Sequence, residues 1–167
     1  VHDVYSTDLA NTLGNCLSRT TAMICKYYGE GAIPSEISSA GKRITWERFD
    51  WPTLTAEAAA DVVRHVEALE LPKATNAAIG LVARVDLFIS ETEPFRMAKD
   101  ESKAEELGAV LYQCLEALRI ACVLLEPFLP QKIDEVGKHM DLGNGNFKER
   151  VRWGTLKPGS DVKKMVI

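Results

Sequence analysis

Three polar side chains near the N-terminus recur at a spacing of four residues, which places them on one side of a helix. They are Asn11, Asn15 and Arg19, within the stretch NTLGNCLSRT. At about 100° per residue they span an arc of roughly 80°. Asparagine is a mediocre helix former, so a merely solvated face would more easily carry Glu, Lys or Gln. Amides and a guanidinium suit the edges of unstacked bases in single-stranded RNA, because they offer paired and forked hydrogen-bonding groups.

The same stripe also has a simpler interpretation. Leu9, Leu13, Leu17 and Ile24 lie nearly opposite the polar side chains and form the predicted core face of this helix. The stripe therefore faces away from the core. Spacing alone does not distinguish a binding face from a solvated face, or from one that bonds to a neighbouring loop.

A second candidate for base recognition is Phe95, in the stretch ISETEPFRMAKDE. Pro94 restricts the backbone directly before it, and Arg96 and Lys99 follow within about a turn. A proline-braced aromatic ring beside cations can form a platform on which a base stacks. The alternative is a phenylalanine that fills the groove between two helices.

Signals for catalysis are missing from the sequence. His2, His65 and His139 have no Ser, Cys or carboxylate in a known catalytic arrangement. There is no glycine-rich phosphate loop of a common type and no Glu-x-x-His pair for a di-iron bundle. We therefore predict no catalytic residue, metal site or cofactor site in this chain.

Length and composition indicate one globular domain. The chain has 167 residues, of which 46% are hydrophobic and 26% are charged. The net charge of −4 argues against non-specific nucleic-acid binding. No apolar run approaches the roughly 18 to 20 residues of a membrane span, and no signal peptide is visible. Because the chain lacks an initiator Met, we expect a fragment or a processed chain.

The cysteines indicate a reducing compartment. Cys16, Cys25, Cys114 and Cys122 form no Cys-x-x-Cys pair and no metal-type spacing with histidine. We expect them to be buried, reduced thiols.

Apolar residues recur at helical spacing along most of the chain, which predicts an all-α fold. We expect an antiparallel bundle of about five helices in residues 1–140, followed by an irregular C-terminal tail in residues 141–167. In the long segment between the first two helices, Trp46, Phe49 and Trp51 either anchor the loop on the bundle or stack on bases. The first predicted helix runs from about Thr7 to about Tyr28, and the second from near the N-cap Thr55 to about Glu70. The other three run from the turn at Pro72 to about Thr92, from about Ser102 to about Glu126, and from the bend at Pro130 to about Met140.

Taken together, these motifs resemble the anticodon-binding domain of methionyl-tRNA synthetases, which belong to class I. The first helix carries the family's Asn-x-x-x-Asn-x-x-x-Arg pattern, and EPF stands where the family usually has proline followed by tryptophan. LYQCLEALRIACVLLEPFLPQKIDEVG resembles its last long helix, proline bend and next helix. RVRWGTLKPGSDV resembles the segment that leaves the bundle toward the synthetase core. The motifs follow in the family's order over essentially the whole chain.

The resemblance implies a function. Asn15 and Arg19 match residues that recognise anticodon bases, and Phe95 matches the aromatic residue that stacks on the first anticodon base. Asn11 supports the site from one turn earlier. The expected ligand is the CAU anticodon of methionine tRNA.

The resemblance also implies the setting of this domain. The other expected partner is the catalytic domain of the same parent chain, which would join methionine to tRNA with ATP and magnesium. The family's catalytic motifs do not occur here, so we expect this segment alone to be inactive. We expect a cytoplasmic or organellar protein that binds neither membrane nor DNA.

The sequence departs from the family pattern at three positions. Phe95 replaces the usual tryptophan, and a phenyl ring still stacks but offers less area and no indole N–H. Asp86 and Phe88 stand where the family often has asparagine and tyrosine, so no role is transferred to these two. The alternatives are the corresponding domain of a synthetase for cysteine or valine, and a helical protein-docking scaffold without an RNA role.

Overall fold

The fold is all-α over the described part of the chain. The computed structural model describes residues 2–165, with side chains from Ser6 onward. Five longer helices and two single-turn helices follow one another, which confirms the expected bundle of about five helices. They are α1 (His2–Tyr27), α2 (Trp51–Glu67), α3 (Leu71–Thr92), the single-turn α4 (Pro94–Met97), α5 (Ala104–Leu125), α6 (Pro130–Gly137) and the single-turn α7 (Phe147–Arg150).

Helix α5 is the centre of the bundle. Every residue from 107 to 125 is buried, because α1, α2, α3 and α6 pack around it. This helix is long and apolar enough to cross a membrane, contrary to our expectation that no segment would be. Since the rest of the protein encloses its apolar stretch completely, that composition is explained by its place in the core.

The relative directions of the helices follow from their contacts. Gly108, near the start of α5, lies against Tyr28 and Pro34 just beyond the end of α1. Phe128, just after α5, lines a groove with Ser6 near the start of α1, so α1 and α5 are antiparallel. Thr75 near the start of α3 lines the same groove. Helices α1 and α3 are therefore parallel, and they end on the same side of the bundle.

Several predicted helix boundaries were wrong, and local chemistry explains the clearest case. Thr55 is not an N-cap, because α2 begins one turn earlier at Trp51 and has Pro52 in its first turn. The Thr55 hydroxyl instead donates a hydrogen bond to the Trp51 carbonyl at 2.7 Å, inside the helix. The same helix ends at Glu67, because Leu69 takes a left-handed conformation with φ of 59° and reverses the chain.

Smaller boundary differences occur elsewhere. Helix α1 begins at His2 instead of Thr7, and α6 ends at Gly137 instead of Met140. A 3₁₀ turn over Glu101–Lys103 precedes α5, and Asp100 caps it by accepting a hydrogen bond from the Ser102 amide at 3.0 Å.

The long segment between α1 and α2 is anchored by aromatic packing, as one of the two interpretations expected. Phe49 and Trp51 are buried, and Trp46 packs edge-on against Phe88 of α3 with ring centroids 5.2 Å apart. The carboxylate of Glu36 in this segment accepts a hydrogen bond from Gln113 of α5 at 3.0 Å. Phe49 and Trp51 are part of the core and Trp46 is partly buried against it, so this structure does not offer Phe49 and Trp51 as stacking platforms.

The segment after α6 packs on the bundle through a buried ion pair. Arg119 and Glu116 of α5 are fully buried and bonded to each other. Glu116 also accepts from the amides of Gly154 and Leu156, at 2.7 and 3.1 Å. Tyr112 donates to the carbonyl of Leu156 at 2.7 Å. The C-terminal segment therefore returns along α5, although it has little regular secondary structure.

Three of the four cysteines are buried as expected, and the expectation was wrong for Cys25. Cys16, Cys114 and Cys122 are buried, Cys25 is half-buried, and all four are free. Burial raises the pKa of the Cys122 thiol to about 12, so this thiol stays protonated at neutral pH.

Candidate RNA-binding surface

The polar stripe of α1 faces away from the core. Leu13 and Leu17 are fully buried, whereas Asn11, Asn15 and Arg19 are exposed. Neither asparagine amide forms a hydrogen bond with any group that the structure describes. Both amides are therefore available to a ligand, and they do not serve to hold a loop.

Arg19 has a partner on the neighbouring helix. Its Nη2 donates a short hydrogen bond to Oδ1 of Asp86, which lies on α3. The two side chains are 53% and 41% exposed, so the pair lies at the surface between the two parallel helices. One acceptor occupies one of the five N–H groups of the guanidinium, and the fork retains donors for a base or a phosphate.

The thiol of Cys16 lies beside this pair, one turn before Arg19. Burial raises the pKa of Cys16 well above its ordinary value, and the Asp86 carboxylate raises it further through its charge and a hydrogen bond. Asp86 therefore interacts with two residues of α1, one exposed and one buried.

Phe95 is displayed at the surface by the single-turn helix α4. Pro94 and Met97 are buried and hold the turn on the bundle, whereas the Phe95 side chain points outward and is 48% exposed. Glu93, in a left-handed conformation with φ of 50°, separates this turn from the end of α3. Phe95 does not fill a groove between helices, so half of its ring surface is open to a stacking partner.

The stripe lies along the middle of α1, whereas Phe95 follows the end of α3, and the two do not touch. Between Asp86 and the end of α3 at Thr92, the helix rises by roughly 9 Å, and α4 follows directly. No hydrogen bond, ion pair or ring contact joins Phe95 to Asn15 or Arg19 within the described residues. A ligand that touches both must therefore be longer than one base.

Other arginines near the end of α3 are also paired with carboxylates. Arg48, from the segment before α2, bonds to Glu91, and Arg96 lies 3.3 Å from Glu93. Acidic side chains therefore offset much of the positive charge around Phe95. Such a surface is poor at attracting phosphates but retains many hydrogen-bond donors.

The structure adds no catalytic or metal-binding cluster to this picture. Over the described residues, no three His, Cys, Asp or Glu side chains are grouped so that they could hold a metal ion. His65 lies 3.2 Å from Glu70, and His139 lies 3.0 Å from the carbonyl of Glu135. Both histidines interact locally with neighbouring residues. His2 lies outside the residues whose side chains are described.

Sequence reasoning missed the role of Asp86. It was noted only as a departure from the family pattern, because spacing within α1 reveals nothing about a partner on another helix. The cross-helix pair depends on the register between α1 and α3. The only signal in the sequence was a carboxylate on the third predicted helix, and nothing in the sequence shows that this helix borders the first.

No protein-family model matches the chain, but several curated proteins are similar to it over most of its length. It is 43% identical over 161 residues to the methionine–tRNA ligase of Halalkalibacterium halodurans, which covers 94% of this chain and 23% of that protein. It is 35% identical over 159 residues to the ligase of Clostridium tetani, covering 95% of this chain and 24% of that protein. The chain thus spans about a quarter of the length of these curated relatives.

The fold agrees as well. The free-state crystal structure of Mycobacterium tuberculosis methionyl-tRNA synthetase matches with a TM-score of 0.71 and 23% identity. The match covers 95% of this chain and 31% of that one. Because the sequence relatives match almost the whole of this chain but only a part of themselves, the chain corresponds to one segment of such an enzyme. By its sequence, and in keeping with its fold, the chain belongs to the methionine–tRNA ligase family.

Proposed function

We propose that this chain is the anticodon-binding domain of a methionine–tRNA ligase and that it binds the CAU anticodon loop of methionine tRNA. The observation that supports this most is the exposure of Asn15 and Arg19 on α1 and of Phe95 on the turn that follows the parallel helix α3. Membership of the ligase family supplies the ligand. The separation between the polar stripe and the ring suits a loop of several splayed bases better than a small molecule.

Each side chain has a defined role in this proposal. Asn15 offers a donor and an acceptor to a base edge, and Arg19 offers the donors that Asp86 leaves free. Phe95 stacks beneath the first anticodon base through its open ring face. Asn11 extends the polar stripe by one turn and supports the site.

The parent enzyme, in the same proposal, attaches methionine to this tRNA in the cytoplasm. ATP and magnesium are used in a catalytic domain elsewhere in the parent chain, and that domain is the second partner of this segment. This segment alone contributes recognition, without methionine activation. Membrane and DNA are not partners.

The test is fluorescence anisotropy at one fixed, moderate salt concentration. The chain is titrated into labelled stem-loops that carry CAU or a single-base variant of it. We expect a preference for CAU, and we expect Arg19→Ala to lose roughly 1 to 3 kcal/mol of discrimination at the base that it contacts. Asn15→Ala should relax discrimination in the same way. Phe95→Ala should weaken binding by about 1 to 3 kcal/mol.

Arg64→Ala is the matched control for Arg19→Ala. Arg64 is an exposed arginine that is paired with Asp61 at 3.0 Å on α2, so it has the same chemistry away from the candidate surface. It should leave the preference for CAU unchanged. Equal binding of all loops by the wild-type chain would refute the proposed ligand. A preference for a valine or cysteine anticodon would assign the domain to a different synthetase.

A further inference from the structure

We propose that Asp86 is a positioning residue for Arg19, which makes this arginine select among bases instead of attracting phosphates. The inference rests on the proposed function. It concerns a residue at which this chain departs from the family pattern, so the role cannot be transferred from the family.

Arg19 and Asp86 form a pair across two packed helices. Arg19 extends from α1 and Asp86 from α3, and both side chains are about half exposed. An unpaired surface arginine samples many rotamers, and ordering it upon binding costs free energy. Because Asp86 already accepts from Nη2, much of that order exists before RNA arrives.

The backbone of Asp86 is itself held in place. Val85 and Ile89, its neighbours on α3, are buried, so the core fixes this part of the helix. Asp86 also has a shorter side chain than Arg19, with fewer rotatable bonds. It can therefore orient the longer and more mobile arginine.

Asp86 also changes the electrostatics around Arg19. The carboxylate offsets the positive charge of Arg19 without occupying more than part of the donor fork. Phosphate attraction depends on charge, whereas base recognition depends on the direction of the donors. The pairing of Arg48 with Glu91 and of Arg96 with Glu93 extends this charge balance toward Phe95.

The experiment compares Asp86→Asn, Asp86→Ala and Asp86→Glu with the wild-type chain in the anisotropy assay, at several salt concentrations. For the Asn and Ala variants we expect the ratio of affinities for CAU and single-base variants to fall about five- to tenfold. The slope of log affinity against log salt should steepen by up to about one, because the freed guanidinium can neutralise one more phosphate. Asp86→Glu should restore part of the selectivity.

Asp61→Asn is the matched control, since it removes an exposed carboxylate from an arginine on α2. It should change neither the selectivity nor the salt slope. Thermal unfolding of each variant verifies that the bundle is intact. The inference is overturned if Asp86→Asn keeps the wild-type selectivity and slope. It is also overturned if Asp86→Asn lowers the affinity for all loops equally, since that result would show a merely structural role of Asp86.

The two proposals fail in different ways. If the wild-type chain binds all anticodon loops equally, the proposed ligand is refuted, and so is any role of Asp86 in selecting bases. If the wild-type chain and the Asp86→Asn variant prefer CAU to the same extent, only the role of Asp86 is refuted.

Discussion

Replacing Arg119 by methionine should strongly destabilise the bundle and loosen the C-terminal segment first. The Arg119 side chain is fully buried in α5 and forms four hydrogen bonds. One joins Nε to the carboxylate of Glu116. The others reach the backbone carbonyls of Leu142, Arg150 and Arg152 at 3.0, 2.6 and 3.1 Å. Methionine fills a similar space but supplies none of these donors.

The magnitude follows from what the substitution leaves behind. Glu116 is also fully buried, and burial already raises its pKa above the ordinary value although Arg119 and the amides of Leu156 and Gly154 oppose that shift. Breaking a buried ion pair by removing one partner costs about 3 to 5 kcal/mol. The three carbonyls that lose their donor add less to this cost. The C-terminal segment that carries them can detach, and they then bond to water. Since domains of this size are stable by roughly 5 to 15 kcal/mol, the variant should still fold.

Urea unfolding of wild type and Arg119→Met measures this loss, and hydrogen exchange locates it. The amides of Gly154 and Leu156 should lose protection before those of α5 do. The double variant with Arg119→Met and Glu116→Gln should lose at least about 1 kcal/mol less unfolding free energy than the two single variants lose in sum. The reason is that the double variant contains no uncompensated buried charge. Arg64→Met, on the surface of α2, should change stability little. A loss below about 1 kcal/mol for Arg119→Met would refute this reasoning.

Two further predictions concern single positions. Glu105 accepts a hydrogen bond from the Ser39 amide at 2.9 Å, and hydrogen bonding to Ser39 lowers its pKa below the ordinary 4.5. Its stabilising effect is therefore complete above that value and lost as the pH falls through the lowered pKa. The unfolding free energies of wild type and Glu105→Gln should therefore converge at acidic pH, and a difference that does not change with pH would contradict this. Leu69 is 85% exposed at a φ of 59° in the turn between α2 and α3, so Leu69→Gly should raise the unfolding free energy by about 0.5 to 1 kcal/mol. Leu71→Gly, at the first residue of α3, should lower the unfolding free energy. If Leu69→Gly also lowered it, the turn at Leu69 would be unstrained.

Local patterns were enough to predict much of this protein. The all-α class, the approximate number of helices and the exposed side of α1 all follow from apolar residues at helical spacing, since that periodicity lies within one segment. The order of the motifs was enough to place the chain among the methionine–tRNA ligases, which the comparisons confirm. The roles of Asn11, Asn15, Arg19 and Phe95 remain predictions, as does the division of the chain after residue 140.

Tertiary structure decided what joins separate segments. The start of α2 was misjudged because Trp51, a large aromatic residue, could open a helix only by packing against the core. Nothing along α5 indicates that Arg119 and Glu116 bind a segment more than twenty residues away. The pairing of Arg19 with Asp86 likewise spans 67 positions and depends on the register between two helices. Sequence periodicity determines which side of a helix is polar, but the contacts of that side depend on how the helices pack.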